Sequence, residues 1–369
     1  MQAILRWIQK EAVLTASSLL ALLSFCFVPI SSQTWEVIDL RVLSLLFCLM
    51  GVMAGLQQLG IFARLGHSLL KTTTGARRLS SVLVLLCFFT SMLITNDVAL
   101  ITFVPFAILV LSMAKEERLL IPTVVLQTVA ANLGSMLTPV GNPQNLYLFS
   151  RSGMDIGAFL HLMLPYWLAS LALLATLLAL GPRRPLALTG PAPEFPAINR
   201  RKLAAYLALF GLALATVLHG VDYPVTLAVT LLYLLLADRG LFSKIDYSLL
   251  LTFVFFFLFV GNLERIPAVS QWLAAALGGR ELWVSAAVSQ VISNVPAALL
   301  LSGFTENFPA LIKGTNLGGL GTLIASLASL ISYKYYVRTP GSRKGRYLLV
   351  FTGYNALFLA VLLLLSLLL

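Results

Sequence analysis

Asp97 is the acidic residue whose position most invites chemistry. It follows Thr95 and Asn96 in the middle of the apolar stretch from Leu79 to Met113, whereas the other thirteen acidic residues lie near the ends of apolar runs or in loops. A carboxylate held that deep in apolar surroundings is costly, and its usual tasks are proton relay and cation pairing. Asp and Asn also cap helices, so a structural role for the same residue stays open. A second polar tip, Ser293-Asn294-Val295-Pro296, interrupts Leu282 to Phe304. The amides of Asn96 and Asn294 can coordinate a cation such as sodium, orient a substrate, or cap a helix.

Two further stretches bring polar groups to the same depth. Thr138-Pro139-Val140-Gly141-Asn142-Pro143-Gln144-Asn145 lies inside the apolar run 119–149, and Asn316-Leu317-Gly318-Gly319-Leu320-Gly321-Thr322 lies inside 309–333. Pro139 and Pro143 lack an N–H and clash with the preceding turn, so the helix must break and free backbone carbonyls and amides. Thr95, Thr138, Ser293, Thr322 and Ser326 add hydroxyls, although each taken singly fits helix packing equally well. The candidate binding set is therefore Thr95, Asn96, Asp97, Thr138, Gly141, Asn142, Ser293, Asn294, Asn316 and Thr322. With no Lys or Arg at this depth, an anion would rely on helix N-termini, backbone amides and a co-bound cation.

The elements that must position these groups are membrane helices. The chain has 369 residues, 59% hydrophobic and 11% charged, with a mean hydropathy of +0.94. Soluble domains carry about 25% charged residues, so a water-soluble enzyme, a secreted domain and a nucleic-acid binder are excluded. Apolar runs long enough to cross a bilayer fall at about 12–30, 40–62, 119–149, 155–181, 202–219, 223–237, 246–263, 309–333 and 347–369. The stretches 79–113 and 282–304 read as two re-entrant hairpins, because each arm falls short of the ~20 residues of a crossing and each tip is polar. The fold class expected is thus all-α and polytopic, with about nine crossings and two hairpins. Arg6 and Lys10 precede the first run as in a signal peptide, but the run is long and lacks a cleavage site, so a retained span is expected.

Twenty Lys and Arg fall on one side of this arrangement and five on the other. The positive-inside rule then puts the N-terminus in the cytoplasm and the C-terminus outside. Trp7, Trp35, Trp167, Trp272 and Trp283 lie near segment ends, where interfacial belts are built. Glu264 and Arg265 adjoin a span end, where they could pair or gate.

The two halves resemble each other, which divides the chain at 1–185 and 186–369. Ile38-Asp39-Leu40 and Ile245-Asp246-Tyr247 open long apolar runs; each is followed by an amphipathic connector (63–75 and 266–278), a hairpin and a Gly-rich span. Asn, Leu, Gly and Thr recur at identical offsets from Asn132 and from Asn316. Five crossings separate the two starts, so the copies are inverted, the arrangement that points to a secondary transporter's midplane site. The three cysteines have no metal-type spacing, and no hydrolase, zinc or P-loop signature is present, so neither an enzyme nor a resident cofactor is expected.

Thr-Asn-Asp in a first hairpin, Thr-Pro-x-Gly-Asn-Pro-x-Asn in a broken helix, Ser-Asn-x-Pro in a second hairpin and a final Asn-Leu-Gly span resemble the ion transporter superfamily of arsenite permeases, sodium/proton antiporters, citrate carriers and divalent-anion symporters. The similarity runs over about 35–365 and is nearest to an uncharacterised bacterial inner-membrane branch of citrate-transporter-like permeases. It implies a homodimer with an elevator-type movement, in which the hairpin tips, here Thr95, Asn96 and Asp97 and Ser293, Asn294 and Val295, hold sodium and substrate. Asp97 stands where a carboxylate symporter has threonine, and Val295 lacks the hydroxyl, so the first tip is more similar to arsenite permeases. The resemblance implies a secondary permease for a small anion or metalloid oxyacid, coupled to protons or sodium. A sodium/proton antiporter and a channel-like or accessory membrane subunit are the alternatives.

Overall fold

The computed structural model describes residues 11–31, 33–70, 75–114, 116–185 and 197–369. Arg6, Trp7, Lys10, Lys71 and Lys115, which entered the charge and belt arguments, lie outside the described residues. Among those described, the chain is helical, with a short 3-10 helix at Arg239–Lys244, and one isolated bridge joins Gly75 and Pro185. Among the same residues six helices are long and apolar enough to cross a membrane, and shorter apolar helices accompany them.

The helices fall into two groups. The first contains α1 (Ala12–Ser24), α3 (Leu40–Gln58), α10 (Arg200–Val217), α11 (Tyr223–Ala237) and α12 (Tyr247–Glu264), with α10, α11 and α12 packing on α3 and α1 on α12. Short helices, α2 (Gln33–Glu36), α4 (Ile61–Leu70) and α13 (Pro267–Leu277), flank it, the last two forming the expected connectors. The second group holds the hairpin α5–α6 (Ala76–Ile94, Asn96–Met113), the interrupted pair α7–α8 (Glu117–Ser135, Pro143–Ser152) and α9 (Ile156–Ala179). It also holds the hairpin α14–α15 (Glu281–Ile292, Asn294–Leu301), the interrupted pair α16–α17 (Phe308–Leu317, Leu327–Val337) and α18 (Lys344–Leu365). The groups meet along a seam where α12 packs on α15, α3 on α8, and α4 on α5 and α6.

Local sequence explains where these helices start. Asp39 accepts the N–H of Val42 at 2.9 Å and Asp246 that of Leu249 at 2.9 Å, so each Ile-Asp opening is an N-cap. Asn142, Asp155, Asn199 and Asn307 cap α8, α9, α10 and α16 in the same way. Close packing inside the second group depends on glycine. A Cβ on Gly134 of α7 would lie 1.9 Å from the Phe88 carbonyl oxygen of α5, so only a bare Cα allows that approach.

Polarity is distributed as membrane burial demands. Leu236, Val291 and Leu349 are 74%, 73% and 75% exposed on the outside, while Gln127, Thr128, Asn145 and Thr315 are fully buried within. A lipid-facing exterior tolerates the former, and the latter bond to neighbouring groups, Gln127 through its Nε2 to the Leu83 and Phe103 carbonyls while its Oε1 has no partner.

Three expectations need correction. The arms of the first hairpin are 19 and 18 residues long, not short. At 1.5 Å per residue each reaches about 27 Å, so length alone does not mark it as re-entrant. The run at 12–30 yields a helix of only 13 residues, because the chain leaves helical geometry before Val28-Pro29. Trp167 is buried against the rings of Phe88 and Phe89, with centroids 5.0 and 6.0 Å away, and serves packing rather than an interfacial belt.

Candidate functional site

Both hairpins turn on a non-glycine residue in a conformation that is essentially glycine's own. Thr95 has φ 69° and ψ 153°, and Ser293 has φ 76° and ψ 153°. Such a conformation costs about 1–3 kcal/mol and persists only where surroundings over-determine it. The next residue in each tip is asparagine, whose Oδ1 accepts the following N–H: Asp97 at 2.9 Å, Val295 at 3.0 Å. Asn96 and Asn294 thus do the local capping, and the Asp97 side chain is released from it.

The surroundings repeat with the same offsets in both halves. The Asn96 N–H donates to the Gly141 carbonyl at 3.1 Å, and the Asn294 N–H to the Ala325 carbonyl at 2.9 Å. Thr138 Oγ1 donates to the Met92 carbonyl and Thr322 Oγ1 to the Gln290 carbonyl, each four residues before its tip asparagine. Between the halves the bonds are reciprocal. Asn142 Nδ2 donates to Asn316 Oδ1 at 3.1 Å, and Ser326 Oγ donates to Asn132 Oδ1 at 3.1 Å. Each donor sits ten residues after the asparagine of its own span and reaches the asparagine of the other. Reciprocity of this kind is the signature of two-fold symmetry.

Asn132 Oδ1 also accepts Asn96 Nδ2 at 3.1 Å, and Asn316 Nδ2 donates to Asn145 Oδ1 at 2.6 Å. Asn96, Asn132, Asn142, Asn145, Asn294 and Asn316 are all buried. Asn96, Asn132, Asn142, Asn145 and Asn316, with Ser135, are linked by hydrogen bonds into one polar knot on the pseudo-two-fold, while Asn294 is buried and tied by its backbone N–H to Ala325. A bonded network of this kind rigidifies the elements it joins.

The knot is closed, and the open space lies beside it. A cavity of about 770 Å³ runs along the seam between the two helix groups. Thr95, Asp97 and Asn142 line it from the second group, and Leu49, Met53 and Gln57 of α3 line it from the first. Gly240, Lys244 and Asp246 also line it. Among the described residues, no hydrogen bond or ion pair is made to the Asp97 carboxylate. Asp97 occupies the first turn of α6, where the helix N-terminus favours negative charge.

The ten residues singled out from the sequence therefore separate. Thr95, Asp97 and Asn142 reach the cavity. Asn96, Ser293, Asn294 and Asn316 are buried outside it, and Gly141 brings its carbonyl to the first tip. Thr138 ties the loop to α5, and Thr322 is exposed and tied to Gln290. The seam beside the second hairpin is occupied instead. Arg151 pairs with Glu264 at 3.7 Å and donates to the Tyr147 hydroxyl at 3.2 Å, which lies 2.8 Å from Ser302 Oγ. Glu264 thus pairs with Arg151 rather than with its neighbour Arg265.

Sequence reading missed Gln57, Asn145 and Gln290 as site-building residues. Asn145 was within the quoted motif; Gln57 and Gln290 are single amides in apolar helices, a signal equal in kind to the one that drew attention to Asn96.

Residues 3–310 match the citrate transporter family. Inner membrane protein YbiR of Escherichia coli is 33% identical over 324 residues, spanning 85% of this chain and 84% of its own length. An uncharacterized transporter of Methanocaldococcus jannaschii is 33% identical over 296 residues, spanning 76% of this chain and 77% of its own. A silicon efflux transporter of Oryza sativa is 36% identical over 162 residues, 43% of this chain and 33% of the relative. The family and these relatives are transport and membrane proteins, not enzymes. A helical membrane body whose halves exchange hydrogen bonds around two strained hairpin tips, matched over most of its length, belongs to the citrate transporter family.

Proposed function

We propose that this transporter is a secondary active permease for a small anion or metalloid oxyacid, coupled to protons or sodium through Asp97. The observation that carries the reading is the unpartnered Asp97 carboxylate on a 770 Å³ cavity between two helix groups. A carboxylate without a fixed partner can take a proton or a cation as its exposure changes, which is the relay use of intramembrane acids. A bound cation or proton at Asp97 removes the repulsion toward an anionic oxygen, and the Thr95 hydroxyl and the Gln57 amide offer hydrogen bonds to hydroxyl and oxo groups. The silicon named for the rice relative favours a metalloid oxyacid within this class. The interrupted helices and the seam support an elevator movement, in which the hairpin group slides past α3 and α10–α12 as one body.

The Lys/Arg distribution favours Lys244, which lines the cavity, on the cytoplasmic side of a bacterial inner membrane, with the C-terminus outside. A homodimer built on the first helix group fits the same scheme. A sodium/proton antiporter is the second reading, since the same carboxylate could exchange the two cations with no oxyacid at all.

Reconstitution in proteoliposomes under an imposed pH or sodium gradient separates these. Saturable uptake of arsenite, silicate or a carboxylate is expected; gradient dissipation without any of them favours the antiporter, and ohmic current means a channel. Asp97→Asn should fold, insert and bind but lose pH-driven uptake. Unchanged pH dependence in that variant removes Asp97 from coupling. A C-terminal phosphatase fusion that works only outside the cytoplasm should be active, and an inactive one defeats the orientation.

A further inference from the structure

We infer that the side-chain amide of Gln290 is a built-in substitute for a monovalent cation at the second hairpin, which leaves that half of the molecule independent of alkali cations. Gln290 Nε2 lies 2.9 Å from the Gly318 carbonyl oxygen, 2.9 Å from that of Leu320 and 3.1 Å from that of Ala286. Three carbonyl oxygens, one from α14 and two from the turn after α16, thus converge on one nitrogen that carries two hydrogens. Convergent backbone carbonyls are the ligand set with which proteins replace the hydration shell of an alkali cation. Here the partial positive charge at the focus is covalently tethered.

The backbone is wrapped around this amide. The N–H of Thr322 donates to Gln290 Oε1 at 2.9 Å, and Thr322 Oγ1 donates to the Gln290 carbonyl at 2.9 Å. Gly321 has φ 106°, and a Cβ there would lie 2.2 Å from Gln290 Oε1. The carbonyls at Gly318 and Leu320 belong to the turn that follows α16, beside the negative end of its helix dipole, so positive charge at the focus is favoured.

The first half shows what the substitution changes. The residue matching Gln290 is Met92, which has no donor. The Met136 carbonyl, which matches that of Leu320, is taken at 3.2 Å by Asn145 Nδ2, which also takes the Thr138 carbonyl at 3.2 Å. Beside the first tip stands the Asp97 carboxylate; beside the second the matching residue is Val295, buried and apolar. Both halves thus fill released carbonyls with a side-chain amide, Asn145 in the first and Gln290 in the second, and the first alone adds an acidic charge beside its tip. The consequence for transport, that a single tip carries the coupling ion, rests on the proposed function; the role of Gln290 does not.

Thermal unfolding of the purified full chain in detergent tests this without any transport assay. It is measured in sodium, lithium, potassium and choline chloride at equal ionic strength, in an Asp97→Asn background so that a cation at the first tip drops out. With Gln290 present, the midpoint should be the same in all four salts. Gln290→Ala should melt several degrees lower in choline and recover in a saturable way with one of the alkali cations, as binding to the folded state requires. Gln290→Lys, which tethers an ammonium, should be folded and indifferent to salt. Alkali stabilisation with Gln290 in place, or a folded Gln290→Ala with one midpoint in every salt, overturns the inference. Should Gln290→Ala fail to fold in all salts, the lysine variant decides: folded and salt-indifferent keeps the inference, misfolded ends it.

Discussion

The two hairpins share their backbone turn, their tip asparagine, their carbonyl acceptor and their threonine tie, yet only one of them faces open space. Thr95 and Asp97 of the first line the cavity; Ser293, Asn294 and Val295 of the second are buried. On the cavity side of the seam, Gln57 makes one long bond of 3.3 Å to Thr102. Beside the second hairpin, Arg151 bridges Glu264 and Tyr147, and Gly303 gives Glu264 room, since a Cβ there would lie 2.3 Å from its oxygen. Pseudo-symmetry therefore extends to what holds the tips and stops at what surrounds them. The shared part is the scaffold that holds the tips, and the unshared part is the cavity on one side and the Arg151–Glu264 pair on the other.

The largest effect should come from the glycines that let the interrupted helices approach the hairpins. Gly134→Ala sets a Cβ 1.9 Å from a backbone oxygen, and Gly318→Ala sets one 2.7 Å from Ser289 Oγ and 2.8 Å from the Ala286 Cα. Overpacking against backbone costs about 3 kcal/mol or more, and the looser contact nearer 2 kcal/mol. The yield and melting midpoint of the purified variants should fall in that order. Equal or negligible losses would show that the two halves are not held by matched close packing.

Exchanging the tip residues sharpens the comparison further. Val295→Asp buries a carboxylate with no partner and should cost at least ~3 kcal/mol. Asp97→Val removes a charge that lies on a cavity and has no bonded partner, so stability should hold or rise while gradient-driven uptake is lost. Equal destabilisation by the two changes would mean that the difference in surroundings described above has no energetic weight.

The smallest effect is expected at the strained turns. Thr95→Gly relieves an unfavourable backbone at the cost of glycine's extra chain entropy, for a net gain of about 1 kcal/mol. Ser293→Gly should gain less, because Ser293 Oγ also donates to the Ala325 carbonyl at 3.4 Å, a bond glycine lacks. Melting midpoints that reverse this order would remove strain as the common feature of the tips.

Much of this was legible in the sequence wherever the signal is local. The paired Ile-Asp openings act as N-caps because an aspartate before an apolar run has a backbone N–H three residues on to accept. The interruption at Pro139 and Pro143 follows from missing donors, and the connectors follow from amphipathic spacing. Composition places Trp167 at a segment end, whereas its ring is covered by Phe88 and Phe89 from a different helix, which no local pattern records. The first arm of the first hairpin reads short in the sequence because its basic first turn at Ala76-Arg77-Arg78 carries no hydropathy signal, although it is helical.

The sequence by itself determined that this is a helical membrane protein with two matched halves, two polar tips and one deep carboxylate, since each rests on residue type and short spacing. Only the tertiary structure decided which of those groups share a cavity, which close into the asparagine knot, and that Gln290 fills the carbonyl cluster of the second half. The bonds that decide it, Asn142 to Asn316 and Ser326 to Asn132, join residues 174 and 194 positions apart. No local pattern records such pairings, because they exist only once the two halves have packed about their common axis.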